Sequence, residues 1–188
     1  MATFTQKSTS FLSSWITVVR IYLASKMTGR TGEELVNQSR LVASLAETLG
    51  GITIFDPIAE EGVKDGQTPL QNTEEDLWKF WKRDKFLIRE AHVVIDLTAS
   101  MKSEGSAHEI GYARYALWTP VIRVWPNLPP NVAWFEDDYI APHIWDALKL
   151  AKGRWGNPWK RLKWKAAIFN RCFLKFLWTR FVWFFNWI

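Results

Sequence analysis

Apolar residues along this chain fall into short unbroken runs, separated by longer stretches with helical spacing. Ile16-Thr17-Val18-Val19-Arg20-Ile21-Tyr22-Leu23-Ala24 is rich in β-branched residues and predicts a strand. Ser25 to Gly32 is small and polar, a loop. From Glu33 to Leu49 the positions Leu35, Val42, Leu45, Ala46 and Leu49 suit one helix face, and Gly50-Gly51 ends it. Ile52-Thr53-Ile54-Phe55 predicts a second strand, stopped at Asp56-Pro57, and residues 58–73 read as an irregular excursion. Thr73 ahead of Glu74-Glu75-Asp76 combines an N-cap with first-turn acids, and the helix it starts runs towards Glu90. A strand at Val93–Leu97 follows, then a loop over 98–106 and a helix from about Ala107 to Leu117. Pro120–Trp125 predicts the next strand, Val132–Phe135 another short one, and residues 139–151 a helix.

Strand, loop and helix thus alternate, and the strands are too apolar to have a wet face. That pattern predicts an α/β fold with a parallel sheet of about five strands covered by helices on both sides. Right-handed crossovers would place the loops after residues 24, 55, 97 and 125 along one edge, where ligands bind in such folds.

Composition divides the chain. Its formal charge of +5 hides two parts of opposite sign. Residues 1–146 hold 14 Lys/Arg against all 19 Asp/Glu, a net of −5; residues 147–188 hold 10 Lys/Arg and no acid, a net of +10. We expect a flexible arm at 1–15, a folded domain at 16–146 and a basic, Trp/Phe-rich helical tail at 147–188. The arm lacks the long apolar stretch of a secretory signal, so a cytoplasmic protein is expected. From Cys172 to Ile188 only Lys175, Thr179, Arg180 and Asn186 are polar. This run is short for a membrane span and carries two charges, so a helix lying in the interface, on the inner face of a membrane, is the leading expectation. A helix joining subunits, one binding nucleic acid through stacking and basic groups, and a tilted, marginal transmembrane hairpin or span are the alternatives. The single cysteine, Cys172, excludes an internal disulfide framework. His92, His108 and His143 lack metal-ligand spacing, and neither a metal nor a cofactor is expected.

The stretch Ser103-Glu104-Gly105-Ser106-Ala107-His108-Glu109-Ile110-Gly111-Tyr112-Ala113 carries the candidate chemistry. It places a carboxylate, Glu109, near the start of a helix that follows a buried strand. Backbone N–H groups at a helix start hold anions, and a Gly/Ser loop lets a ligand approach closely. Glu109 is therefore either a catalytic group at the sheet edge or an ordinary first-turn acid stabilised by the helix dipole.

Tyr22, the loop Ser25–Gly32, Phe55-Asp56-Pro57, Arg83-Asp84 leading into Ile88–Leu97, and Ser103–Ala113 stand in the order and spacing of one family. Over about residues 16–135 the chain resembles the nucleoside 2-deoxyribosyltransferases and their hydrolytic relatives, the 2'-deoxynucleoside 5'-monophosphate N-glycosidases. The resemblance implies a flavodoxin- or Rossmann-like three-layer sandwich, assembled as a homodimer or larger homo-oligomer. It also implies that Glu109 is the nucleophile, Asp84 the acid and Tyr22 the residue that orients the nucleophile. Such a pair of carboxyl groups cleaves an N-glycosidic bond through a glycosyl ester, releasing the base to water or passing the sugar to another base. Ser103 stands six residues before Glu109, where the transferases tend to carry an acid and the monophosphate hydrolases a serine. A serine can donate to a 5'-phosphate that an acid would repel. Ser25, Thr28, Gly29, Arg30, Gly105 and Ser106 would complete the phosphate cradle. His92 departs from the family, which often has an aspartate there, and is read as structural. A non-catalytic nucleotide sensor coupled to the tail, or an NAD glycohydrolase, would use the same pocket differently.

Overall fold

The computed structural model describes residues 18–27, 29–60, 74–98, 104–126 and 139–167. The N-terminal arm, Thr28, the Thr73 cap, Ser103, the strand expected at 132–135 and the tail beyond residue 167 lie outside the described residues.

A five-stranded parallel sheet forms the middle layer, with strand order β2-β1-β3-β4-β5. The strands are β1 (Val19–Ala24), β2 (Ile52–Phe55), β3 (Val93–Asp96), β4 (Val121–Val124) and β5 (Tyr139–Ala141). This is the flavodoxin-like order, whose winding reverses between β1 and β3. Alternation along the strands sends Val19, Ile21, Leu23, Val93, Ile95 and Ile122 to one face. There they meet helices α1 (Gly32–Leu49) and α5 (Ile144–Trp155). Tyr22, Ala24, Val94 and Val121 face the other way, against α3 (Glu74–Glu90) and α4 (Glu104–Gly111). The result is the expected three-layer sandwich.

Local chemistry explains the element ends. Thr31 caps α1: its hydroxyl accepts from the Glu34 N–H at 3.2 Å, and the Glu34 carboxylate accepts from the Thr31 N–H at 2.9 Å. This capping box satisfies two donors that the helix start leaves open. At the other end Gly50 adopts φ 64°, which a side chain disfavours, and its N–H returns to the Ala46 and Glu47 carbonyls. The excursion after β2 opens with one ordered turn, α2 (Pro57–Glu60). Pro57 suits the first helical position, and the Asp56 carboxylate accepts from the Ile58 N–H at 3.0 Å.

Three boundaries differ from the sequence expectation. Residues 139–151 are not one helix: Tyr139–Ala141 is the fifth strand, and α5 begins at Ile144. Pro142 lacks the N–H that a helix interior needs, so it separates the two elements. The loop expected over 98–106 is shorter, because α4 starts at Glu104 and includes Gly105 and Ser106. Burial of Ser106, Glu109, Ile110 and Ala113, at i, i+3, i+4 and i+7, outweighs the weak helix propensity of Gly and Ser. A π-helical segment, Tyr112–Ala116, continues α4. Finally, the expected boundary at 146/147 falls inside α5. Ala147, Leu148, Ala151 and Trp155 are core residues, so packing of the sandwich continues to Trp155. A helix over 158–167, labelled α6, then docks Trp164 edge-on against Trp155, with ring centroids 6.4 Å apart.

Candidate active site

The loops after β1, β2 and β3 open on the carboxyl edge of the sheet, and the described polar residues of the expected site gather there. Tyr22 lies two residues before the end of β1, in register with Phe55 of β2 and Val94 of β3. It is completely buried on the α3/α4 face. Asp84 of α3 stands one turn before the core residue Ile88 and is 6% exposed. Glu109 is the sixth residue of α4, in its second turn, next to the core residue Ile110, and is 9% exposed. It is therefore not a first-turn acid held by the helix dipole. Both carboxylates occupy places on core-facing helix stripes where an apolar residue would serve packing alone.

The three side chains share one electrostatic environment. Burial, then the Glu109 and Asp84 carboxylates, push the Tyr22 phenol far above its ordinary range; Arg83 acts weakly in the opposite direction. Tyr22 is thus a neutral hydroxyl at all working pH values. Its hydroxyl interacts electrostatically with Glu109. Among the described residues, however, it closes no hydrogen bond of full geometry. Burial also raises the Asp84 carboxyl above the usual range, against the pull of Arg83. Arg83 reaches Asp84 Oδ1 with Nε at 3.0 Å and Nη2 at 2.8 Å. Burial winning over a charge-assisted pair means that Asp84 holds a proton more readily than a surface aspartate does.

The expected phosphate cradle is only partly brought together. Ser25, directly after β1, accepts a hydrogen bond from Gln38 Nε2 at 2.9 Å. Gln38 in turn accepts from Arg30 Nη1, and Arg30 Nη2 donates to the Glu34 carbonyl at 3.2 Å. Gln38 of α1 therefore joins Ser25 to Arg30. Gly29, at φ 78°, turns the loop between them, and a Cβ there would meet nothing within 4 Å. Ser106 is buried on the inner face of α4, whereas Gly105 is exposed, with open space where its Cβ would be. Neither lies in a loop. Thr28 and Ser103 fall outside the described residues.

Several polar residues at this edge were given no role by the sequence reading. Asp96 ends β3 and is 2% exposed; its Oδ1 accepts from the Thr98 N–H at 2.8 Å and the Thr98 hydroxyl at 2.7 Å, while Oδ2 lies 4.0 Å from Arg123 Nε. The signal was an acid closing an apolar run. Asp56 directly follows β2, and burial raises its carboxyl while Ser39 and the Ile58 N–H favour its charged form. Gln38 gave no signal, being one polar residue among several on α1. Among the described residues no cluster of His, Cys, Asp and Glu could hold a metal ion, and no helix is long and apolar enough to cross a membrane.

No family model and no curated protein matches the chain. Solved structures do. A 2-deoxyribosyltransferase from Bacillus psychrosaccharolyticus is 20% identical, with a TM-score of 0.49 over 69% of this chain and 90% of that one. A conserved protein from Enterococcus faecalis V583 is 16% identical, with a TM-score of 0.47 over 73% of this chain and 99% of that one.

Proposed function

We propose that this protein cleaves the N-glycosidic bond of a nucleoside or deoxynucleoside 5'-monophosphate. The observation that carries the reading is the convergence of Tyr22, Asp84 and Glu109, from β1, α3 and α4, in one buried cluster at the carboxyl edge.

Cleavage of such a bond builds positive charge at C1' and negative charge on the departing base. The Glu109 carboxylate attacks C1' as the C–N bond breaks, giving a glycosyl ester. Asp84, inclined by burial to hold its proton, transfers it to the base as the base takes the bonding electron pair. Asp84 then removes a proton from water, or from a second base, whose attack on C1' frees Glu109. Tyr22 stays neutral and donates towards Glu109, fixing the carboxylate in position. Arg83 holds Asp84 in place. Arg30 and Ser25, linked through Gln38, supply a guanidinium and a hydroxyl for the 5'-phosphate.

Chromatography of a nucleoside monophosphate panel, with and without an acceptor base, tests the proposal. Release of free base by the wild type and not by Glu109→Gln is the expected outcome. Tight calorimetric binding of an intact nucleotide without turnover would favour the sensor reading instead. A product sugar bearing the new base would identify transfer rather than hydrolysis.

A further inference from the structure

At the opposite, amino-terminal edge of the sheet, two arginines meet around one imidazole. His92 sits in the turn between α3 and β3. The Arg20 N–H donates to His92 Nδ1 at 3.1 Å, and Arg20 Nη2 lies 3.4 Å from Nε2. From α6, Arg161 Nη1 reaches the same ring, 2.9 Å from Nδ1 and close to Nε2 as well.

The donor count does not balance. A neutral imidazole offers one acceptor nitrogen, and its other nitrogen is itself a donor; a guanidinium has donors alone. If Nδ1 accepts from the Arg20 backbone, Nε2 carries the hydrogen and points it among guanidinium N–H groups. The other tautomer leaves the Arg20 N–H facing an N–H instead. Either way several donors converge on a shortage of acceptors. Arg20 Nε adds another, buried and without a hydrogen-bond partner among the described residues. Charge is equally one-sided. Glu90 pairs with Arg20 Nη1 at 3.0 Å and answers one cation. Arg161 and Lys165 of α6 have no acidic partner among the described residues, and residues 147–188 contain no acid at all. The field is strong: burial, then Arg161, Arg20 and Lys165, holds His92 down at about 4, and Arg20 lowers the Arg161 guanidinium as well, after burial.

We infer that Arg20, His92 and Arg161 bind a phosphate group at the amino-terminal edge of the sheet, separate from the Tyr22–Glu109 site. A phosphate supplies several acceptor oxygens, which match two guanidinium forks and an imidazole N–H, and it removes the repulsion between the arginines. The group belongs either to an anionic lipid headgroup, since α6 leads into the Trp-rich basic tail, or to a soluble phosphate ester. This inference does not depend on the proposed glycosidase activity.

The test titrates inorganic phosphate into the full-length chain while following the histidine ring resonances by NMR. His92 is expected to shift saturably in the wild type and in Glu109→Gln alike. Arg161→Gln, on an outer helix, is expected to bind about tenfold more weakly or worse, the cost of one charge-assisted contact. His92→Asp places an acid among the arginines, and calorimetry should find phosphate binding there lost while the melting temperature holds or rises. Flotation with phosphatidylcholine vesicles, with and without phosphatidic acid, separates the sources. Binding that needs phosphatidic acid and falls in Arg161→Gln identifies a lipid headgroup; flotation indifferent to Arg161→Gln, with the NMR shift intact, identifies a soluble phosphate. Unmoved His92 resonances, or phosphate binding by Arg161→Gln and His92→Asp equal to wild type, would overturn the inference.

Discussion

Replacing Tyr22 by phenylalanine separates catalytic from packing roles, because it removes one oxygen and leaves the ring. The side chain is 0% exposed, so the hydroxyl has no water to turn to. Burying a hydroxyl without a full hydrogen bond costs about 1–3 kcal/mol. Its attraction to the Glu109 carboxylate, short of a full hydrogen bond, offsets much of that cost. The two nearly cancel, so at neutral pH the melting temperature should move by no more than a few degrees. Activity has no such cancellation. If the hydroxyl positions Glu109 for attack, losing about 1.5–3 kcal/mol in the transition state lowers kcat/KM by about 10- to 150-fold. Alkaline stability provides an independent reading. The phenol's folded-state affinity for its proton exceeds the unfolded one, so above about pH 10 the unfolded state ionises first and the wild type loses stability. Tyr22→Phe should escape this, gaining on the wild type by about 1.4 kcal/mol per pH unit above pH 10. The assays are base release by chromatography and paired urea melts at pH 8 and pH 11. Unchanged kcat/KM would refute the positioning role. Parallel pH dependence of the two proteins would refute the burial of the hydroxyl beside carboxylates.

Glu109→Gln keeps the side chain's volume but removes its nucleophilic charge. Base release should fall by about 10³-fold or more, with nucleotide binding measured by calorimetry within a few fold of wild type. Thr31→Ala opens the α1 capping box and should cost about 1 kcal/mol in urea melts, without changing kcat, because Thr31 bonds only its own helix start. Trp155→Ala empties the largest fully buried side-chain site and should cost about 3–5 kcal/mol. For the same reason truncation after Gly153 removes core; truncation after Ala167 is the deletion that leaves the sandwich intact for a liposome test of the tail.

The order of elements was legible because strands buried on both faces read as unbroken apolar runs, as Val93–Ile95 of β3 shows plainly, while β2 at the sheet's edge was marked by its β-branched residues, with Thr53 exposed. What escaped depends on contacts between distant segments. Gly105 and Ser106 look like loop residues until α4 is seen laying Ser106, Glu109 and Ile110 against the sheet. β5 is three residues long and earns its hydrogen bonds from β4, so its local sequence carries little signal. In the candidate site, Tyr22, Asp84 and Glu109 were legible by motif order. Their burial was not, since a lone acid on a helix normally faces water. The Ser25–Gln38–Arg30 chain and the Arg20–His92–Arg161 cluster join residues far apart in sequence, which no local pattern reveals.

Asp84 shows why the buried carboxylates point to function rather than packing. Burial raises its carboxyl despite the Arg83 pair, so the desolvation cost exceeds what the arginine returns. The sign of its pH effect follows. A carboxyl group raised in the folded state binds its proton more tightly there than in the unfolded chain. Its stabilising contribution is present below the unfolded value near 3.9 and is lost as pH rises through the raised folded value. At neutral pH the wild type therefore bears a cost that Asp84→Asn removes at nearly constant volume, with the amide oxygen still able to accept from Arg83. Asp84→Asn should be as stable as the wild type or more so at pH 7, with the advantage shrinking as pH falls through the raised folded value towards about 3.9 and constant below it. Its base release should nevertheless drop, most for substrates whose base leaves poorly without a proton, and the alkaline limb of the pH–rate profile should disappear. A variant less stable at pH 7 than wild type would show that the Arg83 pair outweighs burial, making Asp84 a structural ion pair. Retained activity with an unchanged pH profile would remove it from the proton-transfer step. Selection for stability alone would favour an uncharged residue at this position, so a gain in stability paired with a loss of activity is the signature of a carboxylate kept for chemistry.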